Sequence, residues 1–257
     1  MIGAIIGDIV GSRFEFNNTD KYDFQMFTKE STFTDDTICT IAIADAINTG
    51  ASYEDKLLEW CRAYPNPKGA YGGSFIRWIA SDNPQPYNSF GNGSAMRVSP
   101  VAWAYDNLDK VLMEAEKTAI VTHNHPEGVK GAVAVAHAIY YLRTTRNQKV
   151  FENIMQSYYP QFMVNDYYAG VFDETCQGTV PLCLKIIRVS TSFEDAIRRA
   201  ISWGGDSDTI GAIVGSMAEA LWGVPKEISD KAFDLLPTDM LNVVGDFFGN
   251  LNRKQYV

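Results

Sequence analysis

The chain has 257 residues, a length that suits one large domain or two small ones, and its 46% hydrophobic content is enough for an extensive core. A formal net charge of −9 argues against bulk binding to nucleic acid, which needs a basic footprint, and against attraction to anionic membranes. The apolar stretch Met1 to Val10 has no basic n-region, is interrupted by Asp8 and is followed by no small-residue cleavage site, so no signal peptide is expected. No apolar run reaches the ~20 residues of a membrane span. The four cysteines, Cys39, Cys61, Cys176 and Cys183, form no CxxC and are expected as buried free thiols in a reducing compartment. A soluble cytoplasmic monomer is therefore the expectation.

Apolar residues recur with helical period nearly throughout. A short helix is predicted over Ile2 to Val10. A second runs from Asp35 to Asn48 and stops at Gly50. Tyr53 to Ala63 is a third, ended by Pro65 and Pro67. Ser94 to Tyr105 is apolar with Pro100 inside, so it is kinked or begins late. Leu108 to Thr122, Glu127 to Thr144, Gln148 to Tyr158, Thr175 to Ser190 and Phe193 to Trp203 continue the pattern. Ser207 to Trp222 meets Gly223 and then Pro225, a C-terminal stop signal. Lys226 to Leu235 and Asp239 to Asn250 close the chain. Alternating runs with hairpin turns are missing, so the expected fold is all-α: one compact orthogonal helical domain spanning residues 1–257, with about a dozen helices. Asp82 to Gly93 is predicted as a long loop, the kind that often serves function.

Two helices carry glycines four apart: Gly3, Gly7 and Gly11, then Gly211 and Gly215. Glycine inside a helix costs roughly 1 kcal/mol relative to Ala, so close packing of two backbones is the expected reason. If these helices cross, Asp8 and Glu15 are drawn toward two acidic helix starts. The first start is Phe33-Thr34-Asp35-Asp36-Thr37; the second is Gly204-Gly205-Asp206-Ser207-Asp208-Thr209. Hydroxyls and carboxylates at a helix start serve as caps. Two dense starts sharing one volume would crowd four carboxylates, which repel unless cations lie between them. Hard oxygen donors of this kind suit Mg²⁺.

Between these starts lies Ser89-Phe90-Gly91-Asn92-Gly93-Ser94-Ala95-Met96-Arg97. Small residues ahead of a helix expose backbone N–H groups to a phosphate or diphosphate, and Phe90 could stack a base. No Walker lysine and no preceding strand are present, so P-loop and Rossmann readings fail. Thr122-His123-Asn124-His125-Pro126 offers two histidines without a zinc cluster around them. One of them is expected to contact a phosphate or ribose; His137 is expected to be structural.

Taken together these motifs resemble the ADP-ribosylglycohydrolase family. Gly7-Asp8-Ile9-Val10-Gly11-Ser12-Arg13-Phe14-Glu15-Phe16 is similar to its GDxxGxxxEF start. Thr34-Asp35-Asp36-Thr37 is similar to its TDDT, Gly91 to Arg97 to its GNGxAMR, and Gly204 to Thr209 to its GGDTDT, all in family order. Thr122-His123 fits a further TH motif. The resemblance spans roughly residues 2 to 223, with Ser207 standing where the family usually has Thr. It implies an all-α fold with two Mg²⁺ ions, Mn²⁺ able to substitute, held by Thr34, Asp35, Asp36, Asp206, Asp208 and Thr209. It implies substrate contacts from Ser89, Phe90, Gly91, Asn92, Gly93, Ser94 and His123, with Phe90 on adenine. Glu15, Asp35 and Asp36 are the implied catalytic carboxylates. The implied activity is Mg²⁺-dependent release of ADP-ribose from modified protein side chains or small conjugates at the C1″ glycosidic bond, ADP-ribosyl-arginine favoured. The alternatives are serine-linked or other O-linked ADP-ribose, a non-catalytic ADP-ribose binder, or a Mg²⁺-dependent nucleotide phosphohydrolase.

Overall fold

The computed structural model describes residues 1–254, and among these there are fourteen helices and no strand. Helix α1 (Ile2–Gly11) and helix α12 (Ser207–Trp222) form the centre. Both are buried on nearly every face, as a helix apolar all round must be. They cross where their glycines meet: a Cβ on Gly211 would sit 2.6 Å from the Gly7 carbonyl oxygen, and one on Gly11 would sit 2.5 Å from the Asp208 Cα. The expected backbone-to-backbone contact is thus present, and no other residue fits there.

Around this pair pack α2 (Asp35–Thr49), α8 (Pro126–Thr145), α10 (Cys176–Val189) and α11 (Phe193–Trp203). Helix α3 (Tyr53–Ala63) lies on α2, with the Cys39 and Cys61 sulfurs 3.9 Å apart, and α14 (Thr238–Lys254) covers the other side of α2. Helices α7 (Leu108–Ile120), α9 (Gln148–Met155) and α13 (Lys226–Phe233) complete the shell. All four cysteines are buried and free. No helix among the described residues is long and apolar enough to cross a membrane.

Two stretches differ from expectation. Ser94 to Tyr105 is split into α5 (Gly93–Met96) and α6 (Ser99–Ala104), with Pro100 in the first turn of α6, where its missing N–H is harmless. Helix α4 (Gly73–Ala80) was not expected: it starts from glycines and is only eight residues long. Its Phe75 and Trp78 are buried against the core.

Short backbone pairings set the site loops. Thr34 bridges to Lys68, and Gly91 bridges to Thr175. The second bridge is extended by Asn92 N–H donating to the Glu174 carbonyl at 2.7 Å and Cys176 N–H donating to the Phe90 carbonyl at 2.9 Å. The glycine loop is thereby tied to the start of α10.

Candidate active site

The α2 start is built on Asp8. Thr34 is the N-cap, with extended backbone and a hydroxyl accepting from the Asp36 N–H. The buried Asp8 carboxylate accepts from the Thr34 N–H at 2.9 Å and hydroxyl at 2.8 Å, and from the Thr37 N–H at 3.0 Å and hydroxyl at 2.5 Å. Helix α1 therefore holds the entry of α2 through one side chain, and this turns Asp35 and Asp36 outward to the cavity.

The α12 start needs Gly204 and Gly205, at φ 77° and 78°, to bring the chain in. Asn18 clasps this turn: its amide donates to the Gly205 carbonyl at 3.0 Å, and its oxygen accepts from the Gly205 N–H at 2.8 Å. The same amide donates to the Phe14 and Glu15 carbonyls, so the Glu15 loop and the α12 start are one unit. Thr209 donates its hydroxyl to Asp36 at 3.2 Å and joins the two starts. Asp206 is held by the Asn92 amide at 2.6 Å, which ties the acidic start to the glycine loop.

The result is a dense set of carboxylates. Ligand oxygens of Glu15, Asp206 and Asp208 all lie within 4.8 Å of one another. Three carboxylates gathered this closely repel one another unless a proton or a cation lies between them. Burial, then the charges of Asp206 and Asp8, pushes the Glu15 carboxyl up to about 7. Burial pushes Asp8 up to about 6, with the Thr34 and Thr37 donors opposing it. Asp35, Asp36 and Asp208 are raised well above the carboxylate range by burial and then by neighbouring carboxylates, Asp8 first for Asp35 and Asp36, and Asp36 first for Asp208. Asp206 is raised by burial, and the Asn92 amide opposes this. Two buried oxygens, Asp36 Oδ1 and Glu15 Oε2, have no hydrogen-bond partner. Unpaired carboxylate oxygens aimed into a shared acidic volume are what a hard divalent cation satisfies, so the donor set fits such an ion.

The other half of the same cavity, about 300 Å³ in volume, is lined by Ser89, Gly91, Asn92, Gly93 and His123, together with the buried Arg97. Arg97 Nη2 donates to the Thr122 hydroxyl at 2.8 Å, which leaves that hydroxyl's proton for His123 Nδ1 at 2.7 Å. The network thus assigns the ring proton to Nε2, which faces the loop 3.3 Å from where a Cβ on Gly93 would lie. Burial, and then Arg97, holds the His123 imidazole well below its usual range, so it is a neutral donor.

Asp35, Asp36, Glu15, Asp206, Asp208, Thr209, Ser89, Gly91, Asn92, Gly93 and His123 line this one cavity. Three residues of the expected set do not. Thr34 lies beneath the floor, engaged with Asp8. Ser94 is fully buried and donates to the Gly128 carbonyl at 2.7 Å. Phe90 stands outside the wall, its ring 44% exposed and edge-on to His125 at 5.2 Å. His125 caps α8 by accepting from the Glu127 N–H, and His137 bonds the Tyr158 hydroxyl at 2.9 Å, the structural role expected of it. Sequence reasoning missed Asn18 and the Gly72-Gly73-Ser74 start of α4, which forms part of the cavity wall. A glycine pair before a short amphipathic run was the available signal.

A profile of the ADP-ribosylglycohydrolase family matches residues 1–255. The chain belongs to the ADP-ribosylglycohydrolase family. This is a family of hydrolases, and the expected membership, enzyme class and all-α fold hold. An ADP-ribosylarginine hydrolase, Tri1 of Pseudomonas putida, is 25% identical over 87% of this chain and 70% of its own length. The ADP-ribosyl-[dinitrogen reductase] glycohydrolase of Rhodospirillum rubrum is 24% identical over 87% of this chain and 84% of its own. Among solved structures, a chain of an ADP-ribosylglycohydrolase-related protein complex superimposes with a TM-score of 0.67 at 20% identity, over 91% of this chain and 95% of that one. That likeness speaks to the fold alone.

Proposed function

We propose that this protein is a divalent-cation-dependent hydrolase that releases ADP-ribose from modified arginine side chains by cleaving the C1″–N bond. The observation that carries it is the meeting of Glu15, Asp206 and Asp208 within 4.8 Å, joined to Asp36 through Thr209, in a cavity whose other half is donor-rich. Family membership supplies the hydrolytic class, and relatives named for arginine-linked ADP-ribose support the leaving group.

Asp35, Asp36, Asp206, Asp208 and Thr209 would hold the ions, two Mg²⁺ with Mn²⁺ able to substitute, and Thr34 would orient them from below. When bound, such ions supply positive charge that orders oxygen ligands and acidifies water. The chain's own groups do the rest. The His123 Nε2–H and the Gly72 to Ser74 start of α4 take the diphosphate and its ribose. In the reaction the C1″–N bond breaks, a water oxygen bonds to C1″, and a water proton ends on the departing guanidine nitrogen. Positive charge grows on the ribose as the bond opens, and the carboxylates oppose it. Glu15, half-buried at the edge of this carboxylate set and facing the cavity, is the group placed to pass that proton. Four free buried thiols fit a reducing cytoplasm.

The test is release of ADP-ribose from ADP-ribosyl-arginine with Mg²⁺, with EDTA, and with Mg²⁺ restored. The reading requires turnover that is lost and regained; full turnover in EDTA removes the metal from it.

A further inference from the structure

At the acidic mouth of the cavity lies an aromatic pair drawn from distant parts of the chain. Phe16 and Phe172 stack with ring centroids 6.0 Å apart and planes 18° from parallel. Phe16 directly follows Glu15. Phe172 belongs to the segment that crosses the Gly204-Gly205 turn, where a Cβ on Gly205 would strike the Val171 carbonyl. Phe172 lines the cavity together with Glu15 and Glu174. Both rings are left in water: Phe16 is 74% exposed and Phe172 44%. Such a pair buries little by itself, and exposed aromatic surface beside a polar rim marks a binding face.

We propose that the Phe16–Phe172 stack is a leaving-group ledge that selects a guanidinium, the arginine side chain, over a neutral hydroxyl leaving group. This rests on the hydrolase reading above and assigns its preference to two residues. A guanidinium is planar and weakly hydrated, and it lies flat on aromatic rings. The ring face attracts the cation, and the flanking Glu15 and Glu174 carboxylates add negative potential at the same lip. A serine oxygen has neither plane nor charge to offer the ledge.

Phe16→Ala and Phe172→Leu test this, the first at a ring so exposed that the fold is not at risk. Each is assayed beside the unaltered protein on ADP-ribosyl-arginine and on a peptide carrying O-linked ADP-ribosyl-serine. The kcat/KM for the arginine conjugate is expected to fall roughly 5- to 30-fold, mainly through KM. Turnover of the serine conjugate should change by less than about two-fold, as should the Kd for free ADP-ribose. Phe16→Trp should restore the arginine preference. Equal losses on both conjugates, or no loss on arginine, overturn the ledge. An unaltered protein that cleaves only the serine conjugate overturns the ledge and the arginine leaving group together, and leaves standing only a hydrolase of ADP-ribose conjugates. One that cleaves neither sinks both.

Discussion

The two halves of the cavity are built by opposite means. The acidic half gathers Glu15, Asp35, Asp36, Asp206 and Asp208 from three separate stretches, and burial together with neighbouring charge raises their carboxyls. The other half presents Ser89, the glycine loop and an uncharged His123. Under the proposed function the first holds a cation and the second takes an anion. A sugar diphosphate needs both: a donor wall for its phosphates and a charged pole where the glycosidic bond opens.

Asp208→Ala breaks the comparison hardest. Loss of ion-held transition-state charge is worth several kcal/mol, so ADP-ribose release should drop about 10³-fold or more. Circular dichroism should show an unchanged helix content, because the substitution relieves repulsion. Gly7→Leu acts below both halves, where a side chain meets the Gly211 backbone, and should destabilise the protein by more than about 3 kcal/mol in urea titration. His123→Ala touches the second half only. The expected result is a roughly 10-fold weaker Kd for ADP-ribose by calorimetry, with the Mg²⁺ dependence intact.

Acidity sharpens the contrast. Glu15 stands at about 7 against an ordinary 4.5, and Asp8 at about 6 against 3.8. Raised carboxyls bind protons more tightly in the folded state, so their stabilisation is complete below the ordinary values and is lost as pH rises through the raised ones. Without metal the Tm should therefore fall between roughly pH 4 and 7, and Mg²⁺ should restore it at the upper end, where its ligands are ionised. Melts with and without EDTA across that range check the sign. The smallest effect belongs to Phe90→Ala: with the ring outside the wall, the Kd for ADP-ribose should move less than about two-fold. A tenfold shift would mean the loop swings that ring onto the base.

The helix starts were legible because capping chemistry is local: Thr34-Asp35-Asp36 and Asp206 to Thr209 sit where their residue types say. The α1–α12 crossing was legible too, since only close approach explains glycines at helical spacing. What escaped reading depends on tertiary contact. Asn18 is unremarkable in sequence and acts only because the Gly204-Gly205 turn folds against it. Phe90 and Ser94 belong to the right motif, yet a motif does not say which way a side chain points, and the Gly91–Thr175 bridge turns one out and the other under. Helix α4 was lost because its opening glycines resemble a loop.

The bare seam between α1 and α12 has a further consequence. Asp208 rides on one of two rods locked backbone to backbone, and Asp8 of the other holds the start of α2, whereas Phe16 and Phe172 lie on irregular segments outside them. Under the proposed function, inherited variation at those two rings would retune which modification is removed without disturbing the axle that keeps the carboxylates in step.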